Sequence, residues 1–171
     1  MTQIIVCVET NAKANTDWIY VKEAINRFYH IDNSIKLKAV YMGSKQKYRS
    51  AGVLRQISAA CKLNSGTNVV IYVIDTDNIE SNQTQLKEFE DIKNYCRDEG
   101  YEFVFMCRCS EEVFLGKLVE DKEKTATANR FMMRREICSI EENKLNCEHL
   151  KRGTSNLLSV LDKYLERNEK S

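Results

Sequence analysis

The chain has no proline, two histidines and one tryptophan in 171 residues. Without proline there is no proline-rich linker and there are few rigid turns. With His30 and His149 as the only imidazoles, a histidine-rich metal centre is excluded. No apolar run approaches the roughly 18 residues that a membrane span requires. Neither a Gly-rich phosphate loop nor a GxGxxG fingerprint is present, which argues against nucleotide binding of those two kinds. The net charge is +1, so any footprint for a polyanion has to come from local clustering of basic residues. The N-terminal run 3–8 is too short for a secretory leader and lacks a basic flank. The seven cysteines are an odd number, and they are expected to be small apolar thiols in a reducing cytoplasm. Cys107 and Cys109 are one residue apart, closer than the usual spacing of zinc pairs.

What is present describes a folded protein. A content of 43% hydrophobic and 30% charged residues suits a globular chain, and the length suits one domain with its own core. Residues 3–8 read as a first strand, followed by a polar loop through Asp17. Asn15 or Thr16 can cap the next helix, with Asp17 favourable in its first turn. That helix carries Trp18, Tyr20, Val21, Ala24, Ile25 and Phe28 on one stripe and ends near His30. Residues 35–42 form a second strand, half-exposed at its start, and a basic loop, 43–49, follows. A helical stripe through Val53, Leu54, Ile57, Ala60 and Cys61 precedes a turn at 64–68.

Residues 69–75 are a run of β-branched and aromatic side chains, the pattern of a buried central strand. A helix from about Gln83 to Glu99 closes at Gly100, and 101–107 supply a fourth strand. The order β-α-β-α-β-α-β predicts an α/β fold with a mostly parallel four-stranded sheet flanked by helices. Residues 1–115 hold this core, and 116–171 read as a helical extension packed on the same domain. A short helix begins at Ser110 at the end of the core; in the extension a charged connection spans 120–124 and a helix runs from about Ala126 to Ile137. Residues 153–156 then open a last amphipathic helix through Leu165.

The polar residues of interest lie at strand ends. Glu9 closes the first strand, Asp75 and Asp77 close the third, and Glu111 and Glu112 follow the fourth. In a parallel sheet these termini share one edge, which is where open α/β sheets bind ligands. Carboxylates gathered there raise one another's pKa unless a cation neutralises them. Mg²⁺ or Mn²⁺, hard and oxygen-seeking, suits such a set and could activate a nucleophile at a phosphoryl group. Turn formation and helix capping are the alternative reasons to find Asp at these places. Lys45, Lys47 and Arg49 follow the second strand and could meet a phosphate on the same edge. Arg130, Arg134 and Arg135 on one helix, and Lys151 with Arg152 before Gly153, are further candidates for nucleic-acid contact. No histidine lies where it would activate Ser110 or a cysteine as a nucleophile.

Three pieces of the sequence carry a resemblance. They are VCVET at 6–10 with the helix bearing Asp17 and Tyr20, VIDTDN at 73–78, and CSEEVFL at 109–115. Together they resemble the Toprim domain, most closely the RloB and OLD-type proteins of prokaryotic defence and mobile elements. The resemblance implies Mg²⁺ held by Glu9, Asp75 and Asp77, with Glu9 as general acid/base or ligand. It places a further acid at Glu112. It also implies nuclease activity on DNA or RNA. Thr10 stands where Toprim proteins carry glycine, and Glu80 is one residue off the spacing of their next acid. A catalytically silent binding or regulatory module within a larger assembly is the alternative, and a phosphatase-like use of Asp75 as nucleophile is a third.

Overall fold

The computed structural model describes residues 1–168. Strands β1 (Thr2–Val8), β2 (Ile35–Tyr41), β3 (Thr67–Asp75) and β4 (Glu102–Met106) form one sheet in the order β2-β1-β3-β4. Every neighbouring pair is parallel, so the sheet is parallel throughout rather than mostly so. Helices α1 (Thr16–Phe28), α2 (Ala51–Lys62) and α3 (Gln83–Glu99) connect successive strands. The protein is therefore α/β, with a helical region at its C-terminal end.

Side chains of β1 and β3 alternate between two buried layers, because successive residues of a strand point to opposite faces. Ile4, Val6, Val69, Ile71 and Val73 face a core shared with Tyr20, Ala24 and Ile25 of α1. Ile5, Cys7, Val70, Tyr72 and Ile74 face a second core with Val53 and Ile57 of α2 and Phe89 and Ile92 of α3. That double burial explains why both strands read as continuous apolar runs. At edge strand β2 the pattern becomes half-exposed, and the lysines at 36 and 38 take the exposed positions.

Residues beyond 115 cover the α1 side of the sheet. Here α4 (Ser110–Leu115) leads to α5 (Asp121–Met133), whose Phe131 packs edge-on against Tyr20 and Phe114. Short helices α6 (Glu142–Leu145) and α7 (Leu157–Leu161) bury Leu145, Leu157, Leu158 and Leu161 in the same core.

Several boundaries differ from expectation for local physical reasons. Helix α5 starts at Asp121 instead of Ala126 and stops at Met133, because Arg134 ends it and Arg135 turns left-handed (φ 52°). The three arginines at 130, 134 and 135 thus share no helix. Residues 154–156 do not open a helix but run beside β4. The Thr154 carbonyl accepts from Cys107 N, Ser155 bridges Met106, and the Asn156 side chain pairs with Phe103 O and Phe105 N. That segment covers what would otherwise be an open sheet edge. Asn15 makes no side-chain cap; it sits in the left-handed region (φ 55°) and accepts from the Tyr41 hydroxyl. All seven cysteines are free thiols. Among the described residues, no helix is long and apolar enough to cross a membrane.

Candidate functional site

From β1 the chain passes to β2 on one side, then returns to place β3 on the other. The switch point lies between β1 and β3, and a crevice opens there at the carboxyl ends of the strands. Glu9 and Asp75 occupy its two lips. Glu9 Oε1 accepts a hydrogen bond from Asp75 N at 2.8 Å, so the ends of the two strands are tied together. Asp75 continues the alternation 69-71-73 and so turns toward the α1 side. Its Oδ1 accepts from both N and Oγ of Ser110, at 3.1 and 3.2 Å, at the start of α4.

Two further acids join from that side. Asp17, buried in the first turn of α1, accepts from Thr10 N at 3.1 Å. Glu111, 1% exposed in the first turn of α4, lines the same cleft with one carboxylate oxygen making no hydrogen bond. The hydroxyls of Thr10, Thr16 and Tyr20 nearby are also buried without partners. From the opposite side Lys45 reaches in, on a 3-10 turn after β2. Its ammonium pairs with Asp77 and donates to the Asp75 carbonyl at 3.3 Å. Asp77 is left-handed (φ 52°), and its N donates to Arg108 O at 2.9 Å.

The resulting cleft has a volume of about 530 Å³ and is walled by Glu9, Asp17, Asp75, Asp77, Glu111 and Lys124 among others. Burial, opposed chiefly by the Lys45 charge, pushes the Glu9 carboxyl up to about 8. Burial and then the charges of Asp17, Glu9, Glu111 and Asp77 drive Asp75 well above the usual carboxylate range. Burial and Glu111 raise Asp17. Lys45 and Lys124 respond in the other sense. Burial works against their charge, but Asp77 with Glu9 and Glu111 with Asp121 outweigh it and raise both. The cleft thus gathers more negative charge than its two lysines neutralise, and protons make up the difference.

The structure sorts the sequence candidates. Glu9, Asp75, Asp77 and Lys45 come together. Glu112 faces away from the cleft; Arg152 Nε donates to its Oε1, and Arg108 Nε lies 3.7 Å from Oε2. Its neighbour Glu111 takes the cleft position that the sequence assigned to residue 112. Lys47 is exposed, and the Arg49 guanidinium lies over the Tyr48 ring, 5.4 Å from its centroid. Glu111 was named with Glu112 among the acids after the fourth strand, but only Glu112 was taken as a ligand; Asp17, Lys124 and Arg108 were not singled out as site residues. For Asp17 the available signal was an acid in a first helical turn within the resembling segment. Lys124 offered none, since a charge inside a charged stretch looks solvated.

Carboxylate oxygens, a buried unpartnered Glu111 oxygen and excess negative charge fit a hard divalent cation in donor type and charge. Among the described residues, however, no group of three or more His, Cys, Asp or Glu side chains is arranged as a metal-ligand set. No known protein family, characterised protein or solved structure matches the chain.

Proposed function

We propose that the cleft is a divalent-cation site for phosphoryl transfer, and that the protein is a nuclease hydrolysing phosphodiester bonds in DNA or RNA. The observation that carries this reading is the direct bond between Glu9 and the Asp75 backbone at the switch point, with Asp17, Asp77 and Glu111 gathered around it. Glu9, Asp75 and Asp77, with Asp17 and Glu111 beside them, would hold Mg²⁺ or Mn²⁺. Side-chain rearrangement would be needed to draw these carboxylates into a ligand set. When bound, the cation would polarise a phosphoryl oxygen and lower the pKa of water.

The remaining roles fall to this chain's own groups. Ser110 fixes the Asp75 carboxylate through two donors, and Lys45 holds Asp77 and the Asp75 carbonyl in place. Glu9, deprotonated once the cation is bound, would take the proton of an attacking water. The water oxygen forms a bond to phosphorus, the bond to the leaving ester oxygen breaks, and that oxygen is protonated from solvent. The resemblance to Toprim nucleases of the RloB and OLD type supports the same reading and suggests a role in defence.

The test is cleavage of labelled DNA and RNA with Mg²⁺ or Mn²⁺. Asp75→Asn should lower the rate at least about 100-fold, the upper end of what loss of a group merely orienting metal ligands does. Wild-type rates in both Asp75→Asn and Glu9→Gln would overturn the assignment. That no three-ligand set stands ready among the described residues favours a second reading, a binding module without catalysis. That reading predicts a folded protein whose thermal midpoint does not move with millimolar cation, because binding only the native state must raise it.

A further inference from the structure

Asp77 lines two cavities. On one side is the acidic cleft; on the other is a hollow of about 270 Å³ whose wall carries Arg108 and Arg152. We infer that this hollow binds a phosphate of the nucleic-acid strand next to the one at the acidic cleft, through the guanidinium groups of Arg108 and Arg152. The inference rests on the phosphodiester reading of the cleft and names how the strand is held beside it.

The two guanidinium groups are organised from beneath. Both point their Nε toward the one buried carboxylate of Glu112. Among the described residues, the Nη groups of neither arginine donate a hydrogen bond. One carboxylate offsets one of two positive charges and leaves both outer edges, the planar forks that match phosphate oxygens, for a ligand. Arg152 is largely exposed at the mouth, while Arg108 is deeper, its side chain 33% exposed. The backbone of Arg108 is locked in the left-handed region (φ 75°) by a 2.7 Å bond from its N to Thr76 Oγ1 and by Asp77 N on its carbonyl. A non-glycine residue in that conformation is costly, and such strain collects at functional sites.

Two acids share the hollow. Asp77 is neutralised by Lys45 from the far side, and Glu80 is exposed at the rim. Because one residue divides the hollow from the cleft, a strand crossing the Thr76–Asp77 ridge would put successive phosphates on its two sides. Arg108 and Arg152 are positioning residues in this account.

The experiment measures binding of the full chain to a short fluorescein-labelled single-stranded oligonucleotide across a salt series. Mg²⁺-dependent thermal shift and cleavage are recorded in parallel. Arg152→Gln, at a largely exposed position, should stay folded and bind about tenfold more weakly. It should also flatten the plot of log affinity against log salt by about 0.7, the share of one phosphate contact on a single strand. Arg152→Lys should restore the slope, since charge sets it. Arg108→Gln should behave alike if it folds. Unchanged affinity and slope in Arg152→Gln, with or without a lower melting midpoint, would show that the pair serves Glu112 alone and would overturn the inference. So would a wild-type protein that binds no oligonucleotide. If arginine-dependent binding persists while cation neither shifts the midpoint nor supports cleavage, the hollow stands and the nuclease reading falls. If Arg152→Gln cleaves with unaltered KM, the nuclease reading stands and the hollow falls.

Discussion

The two sides of the sheet do different work with similar materials. On the α2–α3 side the core is a continuous apolar layer, and Lys45 reaches the cleft from that side. On the α1 side an equally apolar core runs up to the carboxyl edge and there meets Asp17, Asp75 and Glu111, with Tyr20 beneath them. The acids of this side come from three separate elements, α1, β3 and α4. Lys124, their partial counter-charge, comes from a fourth, α5. The extension after residue 115 is therefore part of the construction of the cleft. Burying like charges beside a well-packed core is unfavourable in itself, so this edge costs stability that the two apolar layers supply.

The largest expected effect tests whether the extension and the α1 side are one body. Phe131, fully buried, is stacked edge-on against Tyr20 and Phe114. Phe131→Ala should cost about 3–5 kcal/mol, the usual range for emptying such a site. Phe89→Ala on the other side should cost a similar amount. Denaturant unfolding gives both values. A cost under about 1 kcal/mol for Phe131 alone, the scale of an average point mutation, would make the extension a loosely attached layer and break the comparison.

A smaller effect separates the sides by pH. Glu9 is raised in the folded protein from an ordinary 4.5 to about 8, so the native state holds its proton more tightly than the unfolded chain does. The stability this contributes is full below the unfolded value and is lost as pH rises toward 8. Asp75 and Asp17, raised in the same direction, steepen the loss. In chelator, the melting midpoint should fall by about 2–4 °C or more between mildly acidic and mildly alkaline buffer, a shift of order 1 kcal/mol or more at this size. Glu9→Gln should flatten that fall, and Mg²⁺ should reverse it at the alkaline end by binding the deprotonated carboxylates. A midpoint rising through this range without metal would contradict the arrangement.

These differences also show what could be read from the chain before its fold. β1 and β3 were legible because double burial writes continuous apolar runs, and their terminal acids were legible because a charge stops such a run abruptly. That placed Glu9, Asp75 and Asp77 on one edge. The C-terminal elements were less legible. The last helix was legible from its apolar stripe, but its bounds were not: α7 is only five residues long, and 154–156 follow the edge of β4 instead of opening it. Asp17 and Lys124 are brought to the cleft by packing between elements distant in sequence, which a first-turn acid hints at for Asp17 and no local pattern encodes for Lys124. The exchange of Glu111 for Glu112 has the same origin. In a helix of six residues, one position of register separates neighbours by about 100° of azimuth, and composition alone does not fix the register.

That pair of neighbours gives the finest test, because the two glutamates should respond with opposite signs. Glu111 has an unpartnered buried oxygen, stands among Asp17 and Asp75, and has its ion pair with a distant ammonium, Lys124 Nζ at 3.9 Å. Replacing it with Gln removes a buried like charge while keeping shape, and Lys124 retains Asp121 at 3.2 Å. Without metal, Glu111→Gln should stabilise the protein by about 1 kcal/mol, within the gain typical of relieving strain at a functional site. It should also weaken Mg²⁺ binding. Glu112 also has one buried oxygen without a hydrogen bond, but its Oε1 accepts from Arg152 Nε and Arg108 Nε lies 3.7 Å from Oε2. Glu112→Gln should therefore destabilise by about 1–2 kcal/mol, at the lower end for a charged hydrogen bond because Arg152 is well solvated. Its effect on Mg²⁺ affinity should be small. Urea unfolding in chelator, with metal titrations alongside, measures all four quantities. If both substitutions destabilise equally and neither alters metal affinity, Glu111 belongs to the core rather than to the cleft, and the acids on the α1 side no longer form one site.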